Sequence, residues 1–148
     1  MPNELEVLIP ATVSGLVTAL ATIDQFRAAR NLDADAVTRA RVVAEELISN
    51  TIKYGYRGEC DRPIRLRLCT EPVLTLVYED QAGPFDPTLW RPSKEWTAAS
   101  RERREGRAGI ALLLGLSSAA EYHRLPDGNR LVITFASKGA APSDAARR

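Results

Sequence analysis

The sequence predicts one α+β domain, and three observations support that fold class. Two stretches place apolar residues at helical spacing, and two pairs of short apolar runs are each joined by turn residues, as in antiparallel hairpins. The chain has 148 residues, of which 45% are hydrophobic. A chain of this length forms one domain and buries about two thirds of the surface that its unfolded form exposes.

The first predicted elements are a strand and a helix. Residues 5–9 form a short apolar run closed by Pro10, which is typical of a strand. Residues 12–30 repeat apolar positions at the spacing of an amphipathic helix. Its predicted apolar face consists of Val13, Leu16, Val17, Leu20, Ile23 and either Phe26 or Arg27.

The second predicted helix carries two separate faces. It begins near Asp33 or Asp35, either of which can cap it, and runs to about Tyr54. Six positions share an arc of roughly 100° and form an apolar stripe: Val37, Ala40, Ala44, Leu47, Ile48 and Thr51. A polar trio lies about 140° from the centre of that stripe: Glu46, Asn50 and Lys53.

The polar trio combines an acid, an amide and an ammonium group on one helical face. Glu46 could serve as a general base, Asn50 as a magnesium ligand and Lys53 as a phosphate partner. The alternative is a solvent-exposed face with one favourable ion pair, because such spacings are common on exposed helices. The trio by itself leaves both interpretations open.

The next segment predicts a hairpin that ends in a turn of small residues. Strands at 64–69 and 73–78 are joined by a short turn, and the second strand continues into EDQAGPFDP. Asp80 at the strand end can accept a hydrogen bond from a base amino group. The small residue Gly83 allows the backbone to approach a flat ring closely. An ordinary turn is the alternative.

A loop and a buried helix follow. Residues 86–106 show no sustained period, which is typical of a lid or a binding loop. Residues 108–120 are apolar nearly all round and predict a buried helix. Backbone N–H groups at its start, beside Gly106 and Gly109, suit a phosphate chain. The alternative is that these glycines only mark the start of the helix.

A second hairpin and a tail complete the chain. Strands at 121–125 and 130–136 flank a turn of Pro, Asp, Gly and Asn. His123 is the only histidine, and it falls on a strand rather than on a helix that could present it as a phosphoacceptor. Residues 138–148 have the composition of a disordered tail.

The charge balance excludes some function classes. The chain contains 20 Lys and Arg against 19 Asp and Glu, a net charge of +1, which gives no general attraction to nucleic acid or membranes. No run of about 18 apolar residues could span a membrane, and the start MPNELEVLIP does not resemble a signal peptide. Cys60 and Cys69 lack the spacing of a zinc or redox pair. We therefore expect a cytoplasmic protein without direct nucleic-acid or membrane contacts.

The order of these segments resembles the GHKL ATPase fold, the Bergerat-type ATP-binding domain. EELISNTIKYGY resembles its N box, EDQAGPFDP its first glycine box, GRAGIALL its second glycine box and GNRLVITF its closing strand. More narrowly, the chain resembles the anti-sigma factor serine/threonine kinases of bacterial partner-switching systems. The resemblance implies a two-layer α/β sandwich with helices on one face of a mixed, mostly antiparallel sheet. The domain would span residues 1–137.

The resemblance also implies roles for individual residues in binding ATP and Mg²⁺. Glu46 would be the base that acts on the attacking hydroxyl, Asn50 the magnesium ligand and Lys53 a phosphate contact. Asp80 would bind the adenine amino group. Further ATP contacts would come from Gly83, Phe85, Arg104, Gly106, Arg107, Gly109 and Thr134.

Three residues depart from the family's pattern. Ala82 stands where glycine is usual, and Arg107 and Ala108 replace a glycine and a large apolar residue. An alanine strains the nucleotide loop only where the position needs a positive φ. Arg107 could bind phosphate or mark a weakened site. ATP binding therefore has more support in these residues than phosphoryl transfer.

The function implied by the resemblance is that of a serine/threonine protein kinase. It would phosphorylate a small antagonist protein of the anti-anti-sigma type and would bind a sigma factor or another regulated target. A homodimer is implied as well. Two alternatives are a nucleotide-gated binding module without useful kinase activity, and a histidine kinase core that acts on a phosphoacceptor in another chain.

Overall fold

A computed structural model of the chain describes residues 3–89 and 113–137. The larger elements, in chain order, are strand β1 (Glu4–Ala11), helix α1 (Val13–Arg30), helix α2 (Ala34–Asn50), strand β2 (Cys60–Cys69), strand β3 (Leu74–Asp80), strand β4 (Ala119–Leu125) and strand β5 (Gly128–Phe135). Three shorter pieces are a π-helical turn at Thr51–Gly55, a 3₁₀ turn at Pro87–Leu89 and a helical turn at 113–116. The α+β fold class is confirmed.

The five strands form one sheet in the order β1-β2-β3-β5-β4. Both predicted hairpins are present, since β2 pairs with β3 and β4 pairs with β5. All four strand pairs of the described chain are antiparallel. The central strand β3 ends at Asp80, directly opposite Asn129 at the start of β5.

One face of the sheet is covered by helices. On β2, buried Ile64, Leu66 and Leu68 alternate with exposed Arg65 and Arg67, which is the alternation of a strand with one buried face. Helix α1 packs on β1, and α2 packs on β3 and β5. The opposite face carries ion pairs between neighbouring strands, such as Arg130 with Glu79 at 2.8 Å.

The apolar stripe of the second helix is confirmed, because all six of its predicted residues are buried. Asp33 caps this helix through a hydrogen bond from the Asp35 backbone N–H. For α1 the predicted face is confirmed at Ile23 and Phe26, which are buried, but not in the first turns of the helix. Val13 and Val17 are 59% and 61% exposed, and the buried residues are Gly15, Ala19, Ile23 and Phe26.

A close contact between the start of α1 and β1 explains this difference. A Cβ on Gly15 would lie 2.3 Å from the carbonyl oxygen of Pro10, so the helix can approach the strand only along its small residues. Hydrophobic periodicity cannot detect a face that is defined by glycine and alanine.

Several element boundaries also differ from the sequence-based prediction. The buried helix does not reach residue 120, because β4 already begins at Ala119. Ser118 explains the early stop, since its backbone N–H donates to Thr134 and its hydroxyl accepts from the Ala136 N–H. Strand β2 begins at Cys60, four residues before the predicted start.

Arg39 on helix α2 hydrogen-bonds to the segment before β4 and to the residue after β5. Its guanidinium donates to the carbonyl oxygens of Leu116 and Ala136 and to Asp35, with a 3.0 Å contact to Leu116. This arginine thus ties α2 to the helical turn at 113–116 and to the end of the sheet. Among the described residues, no helix has the length and apolar character needed to cross a membrane.

Candidate functional site

A cavity of about 560 Å³ lies between the end of α2, the π-helical turn and the end of β3. Its volume is within the range of small-molecule sites, which is about 300–1,000 Å³. Its walls are mostly apolar, and its lining residues are Leu47, Asn50, Thr51, Tyr54, Gly55, Arg57, Tyr78, Asp80, Ala82, Gly83, Pro84, Phe85, Asn129 and Leu131. Asn50, Asp80, Gly83 and Phe85, which the sequence predicts to share a site, therefore line one cavity.

Asp80 is oriented by hydrogen bonds to both of its carboxylate oxygens. Oδ1 accepts from Asn129 Nδ2 at 2.9 Å and from the Ala82 backbone N–H at 3.1 Å. Oδ2 accepts from the Thr51 hydroxyl at 2.9 Å. Since a carboxylate oxygen offers two lone pairs, Oδ2 keeps one acceptor position beyond its bond to Thr51.

Tyr78 supports this arrangement from the core. Its hydroxyl is hydrogen-bonded to Thr51 and donates to the Leu47 carbonyl oxygen at 3.1 Å. Burial raises the pKa of Tyr78 well above its ordinary value of 10.0, and the nearby Asp80 charge raises it further. The phenol therefore stays protonated, and its one proton is shared between the Thr51 oxygen and the Leu47 carbonyl oxygen. The Thr51 proton is then available to Asp80.

Asn129 is the second organiser of the site. Its side chain, in a residue only 4% exposed, donates to Asp80 and, at 2.9 Å, to the Gly83 carbonyl oxygen. Its Oδ1 accepts from the Tyr122 hydroxyl and from the Phe85 N–H. A buried amide side chain normally has its donors and acceptors hydrogen-bonded. The hydrogen bonds of Asn129 hold the turn from residue 82 to 85 against β3 and β4.

The turn after Asp80 tolerates its alanine without backbone strain. In the described part of the chain, the only non-glycine residues with positive φ are Asn31 and Arg57, so Ala82 does not need the freedom of glycine. Its side chain is buried, and a Cβ on Gly55 would lie 3.0 Å from it. The absence of a side chain at Gly55 on the facing turn thus leaves room for the Ala82 methyl group.

Gly83 forms an open part of the cavity wall. A Cβ at this position would meet no atom within 4 Å, so packing within the described chain does not require a glycine there. Its lack of a side chain leaves free space at the surface of the cavity.

The helical trio is brought together only in part. Asn50 lines the cavity, and Glu46, one turn earlier on α2, is half-buried. Lys53 is exposed and is not among the lining residues. The physical reason is the π-helical turn, in which the Tyr56 N–H donates to the Thr51 carbonyl at 2.7 Å and changes the angular period after Asn50.

Thr134 does not lie in the cavity, which corrects its assignment as an adenine contact. It pairs with Thr75 on the sheet face away from α2, whereas buried Leu131, Ile133 and Phe135 face the helices. The residue beside Asp80 is Asn129 instead. The alternation of apolar residues in β5 indicates that Thr134 lies on the face opposite Leu131, Ile133 and Phe135. The register that brings Asn129 opposite Asp80 is a long-range pairing, which the local pattern does not specify.

Four predicted site residues, Arg104, Gly106, Arg107 and Gly109, lie outside the described residues. The predicted tail at 138–148 lies outside them too. The described site therefore comprises the floor of the cavity at Asp80 and its wall at Asn50.

The residues present fit an adenine nucleotide. Asp80 is a fixed acceptor on the cavity floor, and apolar walls with the half-exposed ring of Phe85 suit a flat base. Asn50 offers an amide oxygen on the wall. Magnesium is commonly held by one or two protein oxygens together with phosphates and water, so one amide ligand is consistent with Mg-ATP.

Comparison with known proteins identifies the family. The family described as the histidine kinase-like ATPase domain matches residues 9–135. No curated protein matches the chain. A solved structure of the RsbU and RsbW domains of Rv1364c from Mycobacterium tuberculosis is similar, with a TM-score of 0.62 and 15% identity over 90% of this chain and 32% of that chain.

The chain thus spans about a third of the length of that solved protein. The likeness to it supports the fold. The family match extends from β1 to the end of β5 and includes the whole described cavity. This chain belongs to the histidine kinase-like ATPase domain family.

Proposed function

We propose that this chain binds ATP and is a serine/threonine protein kinase of the anti-sigma type. The observation that carries the proposal is the cavity itself, with Asp80 fixed on its floor and Asn50 on its wall. The similarity to a structure that contains an RsbW domain supports the same class. In this proposal the protein acts in the cytoplasm.

Asp80 would select adenine by hydrogen bonding. Its free acceptor position on Oδ2 suits a 6-amino donor. A guanine base would present an oxo group there, and two facing acceptors would leave that Oδ2 position without a donor. The proposal therefore includes a preference for ATP over GTP.

Glu46 and Asn50 would act at the phosphate end. Asn50 is the residue that would hold Mg²⁺, which would neutralise charge on the phosphates. Glu46 lies four residues earlier, on the same side of α2, and would accept the proton of the attacking serine or threonine hydroxyl. A bond forms from that oxygen to the γ-phosphorus, and the bond from phosphorus to the bridging oxygen breaks to release ADP.

The remaining phosphate contacts would come from the second glycine box. Arg104, Gly106, Arg107 and Gly109 are proposed for this role on the basis of their residue types. Lys53, which is exposed and does not line the cavity, is proposed as a phosphate contact only on the basis of the N box.

The protein substrate would be a small antagonist of the anti-anti-sigma type. The chain would also bind a sigma factor or another regulated target, either as a monomer or as a homodimer. Phosphorylation adds charge to the antagonist and would weaken its binding, which would leave the kinase free for its target.

A nucleotide-gated binding module is the second candidate. It is favoured by one observation: neither Glu46 nor Lys53 is among the residues that line the cavity. Such a module would bind ATP through Asp80 and would transfer no phosphate.

Phosphate transfer to an antagonist protein of the anti-anti-sigma type distinguishes the candidates. The full chain is incubated with Mg-ATP and that protein, and the phosphorylated residue is located by mass spectrometry. We expect phosphoserine or phosphothreonine, and Glu46→Gln should lower the rate by about 10²–10⁴-fold without weakening ATP binding. Glu45→Gln is the matched control, because its exposed side chain lies on another side of α2.

Each other outcome has a clear meaning. Tight ATP binding without transfer favours the binding module, and acid-labile phosphohistidine indicates a histidine kinase core. A Glu46→Gln variant with the wild-type rate would contradict the proposed base.

A further inference from the structure

Arg57 is the only positively charged residue among the described residues that line the cavity, and Asp80 is the only negatively charged one. The hydrogen bonds of Asp80 to Asn129, Ala82 and Thr51 account for its orientation. Within the described ranges, the Arg57 side chain has no hydrogen-bond or ion-pair partner. A cation in this position is available to a ligand.

The backbone of Arg57 is held in an uncommon conformation. Its φ is 60°, a left-handed value that few non-glycine residues adopt. The neighbouring residues fix it there. The Tyr56 hydroxyl accepts from the Gln81 N–H at 2.7 Å, and the Gly58 N–H donates to the Ile52 carbonyl at 2.6 Å. A strained residue that the surrounding structure fixes in a cavity wall is an indicator of a functional role.

Glu59, two residues after Arg57, also anchors this loop. Glu59 accepts a hydrogen bond from the Val13 N–H at 2.7 Å, at the start of α1. Arg57 thus lies between anchors on both sides, and its entropy cost on contacting a ligand is reduced because the backbone is already ordered.

The position of the loop specifies which part of the ligand Arg57 would meet. Tyr56 bonds to Gln81, the residue after Asp80, and Gly55 faces Ala82. Asn50 lies at the other end of the same segment, before the π-helical turn. Arg57 is therefore at the base end of the cavity, beside the loop that follows Asp80.

Stacking is the contact that suits a guanidinium at the base end. Guanidinium groups stack on aromatic faces, and the neighbouring Arg62 does so on the Tyr56 ring, 4.4 Å from its centroid. We propose that Arg57 binds the purine base by stacking on its open face. This inference rests on the proposed nucleotide site, and it adds a residue that contributes to binding of the base rather than of the phosphates.

The test compares two variants of Arg57 by isothermal titration calorimetry with ATP. Arg57→Gly removes the guanidinium and suits the positive φ, so its stability without ligand should equal or exceed that of the wild type. Arg57→Lys keeps the positive charge and a non-glycine residue at this positive φ, but it lacks the planar guanidinium group. We expect both variants to bind ATP roughly three- to tenfold more weakly. Arg65→Ala, an equal charge change on the other sheet face, should bind as the wild type does.

Adenosine, measured by competition with ATP, provides a second readout. A stacking contact predicts that Arg57→Gly loses the same factor for adenosine as for ATP. Wild-type affinity in Arg57→Lys, or a loss confined to ATP, would instead indicate a phosphate contact and would overturn the inference. Unchanged ATP affinity in Arg57→Gly would overturn it as well. If the wild type itself binds no ATP, the proposed nucleotide site is wrong, and the inference is wrong with it.

Discussion

Three side chains fix the carboxylate of Asp80: Thr51, Asn129 and, through Thr51, Tyr78. The sequence predicts Asp80 as the base contact, because a carboxylate at the end of an apolar strand can be recognised locally. It does not predict Asn129, which lies 49 residues away and comes to Asp80 only through the pairing of β3 with β5. The sequence predicts Thr51 as part of the apolar stripe. Its hydroxyl also orients Asp80, because the fold brings it into contact with both Tyr78 and Asp80.

The buried phenol of Tyr78 makes a pH-dependent contribution to stability. Tyr78→Phe should lower the free energy of unfolding by about 1 kcal/mol at pH 8, because the hydroxyl loses its bonds to Leu47 and Thr51. The pKa of Tyr78 is raised in the folded protein. The stabilisation is therefore fully present below the unfolded pKa, near 10, and declines as the pH rises above it.

Denaturant unfolding of both proteins at pH 8 and pH 10.5 measures this effect. The difference between wild type and Tyr78→Phe should become smaller at the higher pH. Thr51→Val is the control, since the threonine hydroxyl does not titrate in this range, and its cost should stay constant. A Tyr78→Phe difference that is the same at both values would contradict the role of the protonated phenol.

At the scale of elements, the π-helical turn changes the helical period after Asn50. Glu46 and Asn50 lie one turn apart in the regular helix α2. Lys53 follows the change to i→i+5 hydrogen bonding and is exposed. A helical wheel with one period cannot detect this change, because it arises from backbone bonds to residues 51 and 52 rather than from hydrophobic spacing.

The contact between this turn and the loop after β3 is testable by a double-mutant cycle. Gly55→Ala should destabilise the protein by about 1 kcal/mol, because the added Cβ would lie 3.0 Å from the Ala82 Cβ. Ala82→Gly alone should cost a similar amount, about 1 kcal/mol, through the loss of a buried methyl group. In the double variant the new methyl occupies the vacated space.

The unfolding free energies of the four proteins give the coupling. We expect the double variant to be more stable than the sum of the single changes by at least about 0.5 kcal/mol. If the effects of the two changes are simply additive, the side chains at positions 55 and 82 do not compete for the same space.

The boundaries of other elements depended on distant partners. The run at 108–120 is apolar nearly all round, so it has no period from which an end could be read. Hydrogen bonds of Ser118 to Thr134 and Ala136 end the helix and begin β4. By contrast, the two hairpins were predicted correctly, because their turn residues lie within a few positions of the strands they join.

At the scale of the molecule, the site exists only where the whole sheet and α2 are assembled. Asp80 bonds to Thr51 across 29 residues and to Asn129 across 49. The near-neutral charge of the chain gives no sign of this arrangement, since one cation and one anion line the described cavity. Because the unfolded chain has no such cavity, a ligand bound there stabilises the folded state as a whole.

The free energy of unfolding with and without Mg-ATP tests the central claim, that Asp80 anchors an adenine nucleotide in this cavity. At about one hundred times its dissociation constant, ATP should stabilise the wild type by roughly 2.7 kcal/mol. Asp80→Asn at the same ATP concentration should gain little, because its amide nitrogen replaces an acceptor, and GTP should stabilise the wild type less than ATP does. An unchanged wild type, or an equal gain in Asp80→Asn, would contradict the account.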